Sequence, residues 1–399
     1  MRSRALPKHL PEVKGFMRKG MWILAAVLVF AMGSGAFAED VVKVGYLAGI
    51  TGDFAAYGQP EVNAVRLAAD EINARGGVLG KKIELIVYDY KSRPEDAVNA
   101  TRRLLDHDKV VAILGSASSG ANIATAPLVT RAGVPQIGTL STNPLVTVDE
   151  SGKVRPYMFR ICFIDPYQGR LIGYFAAKEL GKKKAAILYD VGSDYSHGLR
   201  EHFMKSYVEF GGTVVAEYAF RGGQDVDFRA QLTRIKETDA EVLVLPNIGK
   251  DLALPIKQAR ELGMDDIIFI GGDGYGEFMI EIAGDALEGS YWMYHLARQD
   301  PAMKPFFDAY REKYNDECQE FAIAVLAYDS LYWLADAIER AGKVDSKAIR
   351  DALEATKDLK LHHATLTMDP ETHNPVDKDA VVLTVQGGKS IFYKKIKPE

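Results

Sequence analysis

Short apolar runs alternate with longer amphipathic runs along most of this 399-residue chain, and this alternation limits the fold more than any other feature. Apolar runs rich in Val and Ile predict strands, whereas apolar residues at every third or fourth position predict helices. Continuous apolar strands separated by amphipathic helices are typical of parallel sheets that carry helices on both faces. The sequence therefore predicts an α/β fold.

The alternation occurs twice along the chain. In the first run, strands are predicted at Val41–Leu47, Lys82–Tyr88, Val110–Leu114 and Val134–Ile137, with the first helix at Glu61–Ala74. In the second run, strands are predicted at Tyr157–Phe163, Ala185–Tyr189, Thr213–Phe220, Val242–Leu245 and Ile267–Ile270. The runs are similar in size, and about 360 residues exceed what one hydrophobic core usually organises. We therefore expect two lobes, each with its own mostly parallel sheet.

The pattern changes after Tyr291, where helices return before a final pair of strands. The helices are predicted at Pro305–Tyr314, Phe321–Ala341 and Ser346–Ala355, and the strands at Val381–Val385 and Ser390–Lys394, turned by Gly387-Gly388. We expect the helices to complete the first lobe and the strands to return to the second. The predicted boundaries are residues 39–163 plus 294–361 for lobe 1 and residues 164–293 plus 362–399 for lobe 2, with a ligand cleft between the lobes.

The first 38 residues resemble a secretory signal. Arg18 and Lys19 precede the apolar run Met21–Met32, and Ala36-Phe37-Ala38 has the small-residue pattern of a cleavage site. A dozen apolar residues are too few to span about 30 Å of hydrocarbon. We expect cleavage after Ala38 and release into the periplasm, whether translation starts at Met1 or at Met17.

The charge of the chain disfavours two classes of partner. Residues 1–38 carry six basic residues and one acidic residue, so the rest of the chain has a formal net charge of −10, against −5 for the whole. No basic cluster is evident in this acidic remainder, which argues against binding to nucleic acid or to an anionic membrane surface.

Cys162 and Cys318 are the two cysteines of the chain. An oxidising compartment permits a disulfide, but Cys162 lies in an apolar, strand-like segment where a small buried thiol is common. We expect two unpaired thiols, with a disulfide as the alternative. Neither cysteine stands in a pattern with histidine that indicates catalysis.

A serine-rich segment, Gly115–Gly120, separates a predicted buried strand from a predicted helix. Ligands of open α/β sheets bind beyond the carboxyl ends of the strands, and a helix N-terminus there offers unpaired N–H groups to an anion. One serine would suffice for a simple N-cap. Three serines and two glycines favour an anion site that includes Ser118 and Ser119.

Two further loops follow predicted strands at sheet edges. Thr139–Pro144 offers hydroxyl and backbone groups beside the serine-rich segment, although such residues also build ordinary turns. Gly271–Tyr275 places Asp273 between glycines, where a carboxylate can pair with an ammonium group. A plain turn is the alternative for both loops.

Motifs of several enzyme classes are missing from the sequence. Gly120 is followed by Ala-Asn rather than by the Lys-Ser/Thr of a phosphate-binding loop, and Glu277 occupies the last glycine position of a dinucleotide fingerprint. Neither G-x-S-x-G nor H-E-x-x-H occurs. Neighbours in an extended segment point to opposite faces, so His362 and His363 are not expected to share a metal. We expect neither catalysis nor a cofactor or metal.

At these loops the sequence resembles the branched-chain amino-acid-binding family, the leucine/isoleucine/valine receptors of ABC transporters with the type I periplasmic-binding fold. The resemblance covers essentially the whole chain after the signal segment. Its markers are Thr51-Gly52-Asp53 through Tyr57-Gly58, Asp70–Asn73 with Gly76-Gly77, Gly115–Ser119, Lys257–Arg260 and Gly272–Gly274. Each marker is weak alone, whereas the ordered set is specific.

The resemblance implies roles for individual residues. The family's carboxylate-binding serine corresponds to Ser119, its threonine for carboxylate and ammonium to Thr142, and its backbone carbonyl between them to Leu140. The acidic partner of the ammonium corresponds to Asp273, where leucine-binding members often have Glu.

The resemblance also implies walls for the side-chain pocket. Tyr57 and Tyr195 correspond to the family's aromatic walls, and Asn247 and Tyr275 lie in the second-lobe loops beside the site. A further tyrosine of the family pattern is replaced by Ile248, which puts leucine specificity in doubt.

The residues and the resemblance together predict a binding protein. An anion site on lobe 1 and Asp273 on lobe 2 would hold a zwitterion and stabilise the closed form. We expect a monomer that captures a small amino acid, branched-chain or related apolar, and delivers it to an ABC permease with its ATPase subunits in the inner membrane. Another solute (an amide, a polar amino acid or an aromatic acid) or a sensory role is the alternative. A nucleotide-using enzyme is disfavoured by the failed fingerprints.

Overall fold

The structure is a computed structural model that describes residues 41–376 and 378–397. The predicted signal segment 1–38 lies outside these residues. In the described part, twelve strands form two separate sheets, and eleven α-helices pack on these sheets. Two further short strands form a ribbon. The predicted α/β class with mostly parallel sheets is confirmed.

The first sheet contains five parallel strands in the order β2-β1-β3-β4-β5. The strands are β1 (Val42–Ala48), β2 (Ile83–Asp89), β3 (Ala112–Gly115), β4 (Gln136–Gly138) and β5 (Met158–Arg160). Strands β1, β3 and β4 lie in the interior of the sheet, and every residue of β3 and β4 is buried. Burial on both faces explains why these strands are mostly apolar in the sequence, with Gln136 of β4 as a buried polar exception.

The second sheet contains seven strands in the order β14-β13-β10-β9-β8-β6-β7. The strands are β6 (Lys184–Asp190), β7 (Thr213–Phe220), β8 (Val242–Leu245), β9 (Ile268–Gly271), β10 (Tyr291–Tyr294), β13 (Ala380–Gln386) and β14 (Lys389–Ile396). Neighbours from β7 to β10 pair in parallel, and the terminal hairpin β13–β14 adds antiparallel strands beside β10. The predicted return of the terminal strands to this sheet is confirmed.

Helices follow the strands in the predicted alternation. They are α1 (Ala55–Ala74), α2 (Pro94–Arg103), α3 (Ser119–Ala132), α4 (Asp165–Tyr174), α5 (Asp194–Glu209), α6 (Arg229–Lys236), α7 (Lys250–Glu261), α8 (Phe278–Ala283), α9 (Lys304–Tyr314), α10 (Phe321–Ala341) and α11 (Ser346–Glu354). Helices α9 and α10 pack against α1, beside the first sheet. The ribbon strands β11 (Leu359–Lys360) and β12 (Thr365–Leu366) pair before the chain enters β13. The numerical lobe boundaries stay a prediction.

Helix α1 begins six residues before the predicted start at Glu61 and includes Pro60. A proline in a helix interior usually disrupts it, because the ring removes one backbone donor. Here the first turn is already closed, since the N–H groups of Tyr57 and Gly58 both donate to the Phe54 carbonyl. The earlier start places Tyr57 on a helix rather than on a loop.

The predicted strand Tyr157–Phe163 was grouped with the second run, although the predicted boundary at residue 163 assigned it to lobe 1, and the grouping with the second run is wrong. Strand β5 instead pairs with β4 and forms an edge of the first sheet. Helix α4, which follows β5, packs against α5 beside the second sheet. The chain therefore leaves the first sheet directly after β5.

Helix α10 has the length and apolar character of a membrane span, but 89% of its most apolar window is buried inside the protein. Ala322, Leu326 and Trp333 are fully or almost fully buried, and the indole Nε1–H of Trp333 donates to Thr356 Oγ1 at 2.8 Å. Helix α10 is therefore a core helix, which explains why it is apolar on nearly all sides.

Asp329 of α10 binds both neighbouring histidines of the segment between β11 and β12. Its two carboxylate oxygens lie 2.6 Å from His362 Nδ1 and 2.5 Å from His363 Nδ1, and they also accept both backbone N–H groups. The expectation that the two rings point to opposite faces is wrong, because the segment is a bend rather than an extended strand. Lys378 Nζ lies 2.5 Å from His363 Nε2, so His363 is held between a carboxylate and an ammonium.

Burial, reinforced by the charge of Lys378, lowers the pKa of His363 to about 4. Between that value and about 6.5, the unfolded chain binds a proton that the folded chain does not. The free energy of unfolding should therefore fall as pH falls through this window, by up to about 1.4 kcal/mol per pH unit for this residue. Denaturant titrations should show that the free energy of unfolding falls less between pH 6.5 and pH 5 in His363→Gln than in the wild type.

His107 provides the matched control for this experiment, because its side chain is 75% exposed. His107→Gln should keep the wild-type difference between the two pH values. An equal pH dependence in His363→Gln and in the wild type would contradict the assignment of a buried neutral imidazole.

Candidate functional site

A cavity of about 410 Å³ lies between the carboxyl ends of the strands of the two sheets. The loops after β1, β3 and β4 line it from the first sheet, and the loops after β6, β7, β8 and β9 line it from the second. Open α/β sheets bind ligands at this edge. Six of the predicted site residues line the cavity, namely Tyr57, Ser118, Ser119, Leu140, Tyr195 and Asp273.

The two serines at the start of α3 have different tasks. Ser118 is the N-cap, and its hydroxyl accepts a hydrogen bond from the Ala121 N–H at 3.3 Å. Ser119 is the first helical residue, and its hydroxyl accepts from the Asn143 N–H at 3.2 Å. The N–H groups of Ser119 and Gly120 belong to the first turn, which has no partners inside the helix. The cavity therefore meets a helix N-terminus with its partial positive charge.

Gly115 sets the path of the chain into this helix. It has a φ of 85°, and a Cβ there would lie 2.3 Å from the Leu47 carbonyl oxygen. A side chain at this position would clash with the neighbouring strand and strain the backbone. The glycine thus lets β3 turn sharply toward the cavity.

The loop after β4 is held from below by a buried arginine. Arg160 of β5 donates to the Ser141 carbonyl at 2.7 Å and to the Asn143 carbonyl at 2.8 Å. This support fixes Leu140 and Thr142 beside the start of α3. Thr142 does not line the cavity wall; it is fully buried, and its side chain lies beside the Asp165 carboxyl.

Asp273 lies across the cavity in the loop after β9 and is 2% exposed. Its Oδ2 is 3.0 Å from His295 Nε2, and the imidazole of His295 stacks on the ring of Phe163 at 3.7 Å between centroids. Burial lowers the pKa of His295, so the ring is neutral at pH 7 and donates through Nε2. The hydrogen bond from this ring fixes the orientation of the Asp273 side chain. Sequence reasoning missed His295 because it follows β10, far along the chain.

Hydrogen bonds close the two lobes over the cavity. The Tyr57 hydroxyl donates to the Gly274 carbonyl at 2.6 Å and accepts from the Gly249 N–H at 3.3 Å. Asn143 Nδ2 donates to the Asp194 carbonyl at 2.7 Å. Each of these bonds joins a residue beyond a strand end of the first sheet to a residue beyond a strand end of the second. The structure therefore represents a closed arrangement of the two sheets.

Tyr195 reaches the cavity from the first turn of α5. Its hydroxyl accepts a hydrogen bond from the Gly274 N–H at 3.3 Å. A Cβ on Gly272 would lie 2.6 Å from this hydroxyl, so a glycine there permits the close approach of Tyr195 to the loop that carries Asp273.

Asn247 and Tyr275 do not reach the wall of the cavity. The side chain of Asn247 donates to the Leu188 carbonyl at 2.9 Å and accepts from the Ser196 hydroxyl at 3.1 Å. Tyr275 is 1% exposed and stacks on Trp292. Both side chains support the loops from behind.

A set of charged residues that the sequence reasoning missed lines the rest of the cavity. They are Asp53, Asp190, Asp194, Asp251 and Arg221. Asp190 ends β6 and Asp251 lies in the first turn of α7, so the rule that strand ends line ligand clefts could have indicated both. Ile248, which replaces an aromatic residue of the family pattern, borders the same part of the cavity.

Burial also changes the protonation of two carboxyl groups near the cavity. It raises the pKa of Asp165 to about 8, and the Asp273 carboxylate adds to this rise. It raises the pKa of Asp251 to about 6, with further contributions from Asp53 and Asp190. Asp165 is therefore protonated at pH 7, whereas Asp251 remains largely ionised.

Within residues 41–376 and 378–397, no group of three or more His, Cys, Asp or Glu side chains could hold a metal ion. Cys162 and Cys318 are both buried free thiols in the structure. Burial raises the pKa of Cys162 to about 12, which leaves it uncharged at neutral pH.

Proteins of known function resemble this chain over most of its length. A leucine-, isoleucine-, valine-, threonine- and alanine-binding protein of Pseudomonas aeruginosa is 29% identical over 335 residues, which cover 84% of this chain and 87% of the relative. A leucine-binding protein from Thermotoga maritima has a crystal structure that matches with a TM-score of 0.82 at 35% identity, over 90% of this chain and 99% of that chain.

A third relative has a different ligand. An ABC-transporter solute-binding protein from Rhodopseudomonas palustris, solved with 3,4-dihydroxybenzoic acid, matches with a TM-score of 0.79 at 27% identity, over 90% of this chain and 98% of that chain. The family model described as periplasmic binding protein matches residues 41–389. The two sheets, the cleft between their carboxyl edges and these matches show that the chain belongs to the periplasmic binding protein family and has its type I fold.

Proposed function

We propose that this chain is the substrate-binding component of an ABC importer and captures a small α-amino acid by closing two lobes around it. The observation that carries the proposal is the pairing of groups across the cavity, where the N-terminus of α3 faces the carboxylate of Asp273. An α-amino acid carries a carboxylate and an ammonium on one carbon. The cavity offers one partner for each, from opposite lobes.

The anion partner is built from the first lobe. Ser119 contributes a hydroxyl and a first-turn N–H, and Thr142, on the loop that Arg160 supports, contributes a second hydroxyl. Hydrogen bonds to a charged group contribute about 1.5–3 kcal/mol each. These groups hold the ligand carboxylate.

The cation partner belongs to the second lobe. Asp273 accepts a hydrogen bond from the neutral His295, in a site that is almost fully buried. An ion pair is stronger in such an environment than in water, and an unpaired carboxylate there is costly. Asp273 binds the ligand ammonium, and the Leu140 carbonyl contributes a second acceptor.

Capture and closure are one process in this proposal. A ligand that touches both lobes stabilises the closed arrangement by its differential affinity for that state. Tyr57 adds direct bonds between the lobes when they close. A permease in the inner membrane, with its ATPase subunits, then recognises the closed monomer.

The names of two relatives make branched-chain and other apolar amino acids the first ligands to test. The relative solved with 3,4-dihydroxybenzoic acid supports an aromatic acid as the second candidate. An aromatic acid has no ammonium, so Asp273 would remain without a cation partner in a closed cleft. The family and its relatives are binding proteins, and we propose that the chain has no catalytic activity and needs no cofactor.

Removing a donor of the anion site should weaken binding. Ser119→Ala and Thr142→Ala should each raise the dissociation constant about tenfold to a hundredfold, because each removes a hydrogen bond to a charged group. Isothermal titration calorimetry with the amino acid that binds best measures the change. Ser151→Ala, in an exposed turn, should leave the affinity unchanged. Wild-type affinity in both cleft variants would place the ligand elsewhere.

Asp273 should distinguish an amino acid from its deaminated analogue. The wild type should bind the amino acid much more tightly, because the analogue leaves Asp273 unpaired. Asp273→Asn should narrow this difference by weakening only the amino acid, since it removes charge while nearly preserving shape. The measurement is a set of four dissociation constants, two proteins against two ligands. Equal weakening of both ligands would mean that Asp273 only stabilises its loop.

We also propose that the chain is exported and cleaved after Ala38. Mass spectrometry of the protein from the periplasmic fraction of its host should give a mature N-terminus at Glu39. Recovery of the protein in the membrane fraction with residues 17–38 attached would contradict this proposal.

A further inference from the structure

The cleft has two ends, and the α-carboxylate and α-ammonium of the proposed ligand occupy only one of them. In the second sheet, β9 is followed by β8 and then by β6, and Asp273 and Asp190 lie at the carboxyl ends of β9 and β6. Neighbouring strands are about 4.8 Å apart, so these residues are separated by on the order of 10 Å along the sheet edge. In the first sheet, Asp53 follows β1 and Ser119 follows the neighbouring strand β3. Asp53 is therefore displaced from Ser119 along the cleft in the same direction as Asp190 is displaced from Asp273. We call the end beside Asp190 and Asp53 the far end.

The far end of the cleft is surrounded by three carboxylates. Asp190 Oδ1 accepts the Gly222 N–H at 2.9 Å, and Asp251 Oδ2 accepts the Gly223 N–H at 3.0 Å. A Cβ on Gly223 would lie 2.9 Å from Asp53 Oδ2, which places the third carboxylate at the same turn. All three aspartates line the cavity. Carboxylates gathered in this way repel one another unless a cation lies among them.

Asp251 is the most buried member of this group. Only 5% of the residue is exposed, and its Oδ1 atom is buried without a hydrogen-bond partner among the described residues. Burying a charged oxygen without a partner is costly. Burial and the neighbours Asp53 and Asp190 raise the pKa of Asp251, while Lys250 lowers it. Asp251 therefore adds to the lining of the far end a carboxylate with one buried, unpartnered oxygen.

Arg221 is the one basic side chain among the described residues that line the cavity. It is exposed, and no ion pair of its guanidinium occurs in the described part of the chain. One peripheral guanidinium stands against the three aspartates of the far end, Asp53, Asp190 and Asp251. The charge of the far end is therefore negative.

We propose that the far end binds a cationic group, so that the preferred ligand is an α-amino acid whose side chain ends in an ammonium or a guanidinium. This inference rests on the proposed function and specifies its substrate class as polar rather than apolar. A four-carbon stem such as that of lysine carries its charge well away from the α-carbon. Ile248, in place of an aromatic wall, leaves room for such a stem, and a 410 Å³ cavity lies in the size range of enclosed ligand sites.

The test compares lysine with norleucine, which has an unbranched side chain without the terminal ammonium. The purified mature chain, stripped of ligand, should bind lysine at least about tenfold more tightly than norleucine, as expected for one charged hydrogen bond. Asp251→Asn should reduce this preference about tenfold or more by weakening lysine alone. Asp53→Asn, on the other lobe, should reduce it in the same direction.

Asp266→Asn is the matched control, because Asp266 is exposed just before β9, at the opposite edge of the sheet. It should leave both affinities unchanged, and thermal unfolding should show that all variants are folded. Tighter binding of norleucine or leucine than of lysine would overturn the inference and leave the proposed amino-acid function intact. Tighter binding of glutamate than of lysine would also overturn the inference and leave the proposed amino-acid function intact. It would indicate that Arg221 binds the ligand side chain at the far end. Binding of none of these amino acids would overturn the proposed function itself.

Discussion

The direction of the strands is the constraint on which the rest of this structure depends. In each parallel run the carboxyl ends lie at one edge of the sheet, so the loops that follow β1, β3 and β4 meet those that follow β6 to β9. Parallel strands need a crossover connection, and most of these connections contain a helix that begins at the same edge. Loops, helix N-termini and strand-end carboxylates therefore gather in one cleft, although they are distant in sequence.

The closed cleft combines two kinds of contact between the lobes. Tyr57 and Asn143 form direct hydrogen bonds to backbone groups of the opposite lobe. Ser119 and Asp273 instead face the cavity from opposite sides, where a zwitterion can join them. The direct hydrogen bonds between the lobes form whenever the lobes close. The contacts through a bound zwitterion make closure depend on the ligand.

Residues that contact no ligand in this proposal decide the geometry of those that do. Arg160 supports the loop that carries Thr142, and His295 orients Asp273 while stacked on Phe163. Both lie where the chain leaves a sheet, since Arg160 ends β5 and His295 directly follows β10. The position of the site residues therefore depends on the segments that connect the lobes. Asp329, His363 and Lys378 form a further buried set that links such segments.

The sequence by itself determined the α/β class, the two runs of strands and the loops that contain Ser119, Leu140 and Asp273, because periodicity and turn residues act over a few neighbours. Tertiary structure alone paired β5 with β4 and extended α1 through Pro60. It also turned both histidines toward Asp329, paired His295 with Asp273 and gathered Asp53, Asp190 and Asp251 at one end of the cleft. These arrangements depend on strand order and on contacts between residues up to hundreds of positions apart, which local pattern does not encode.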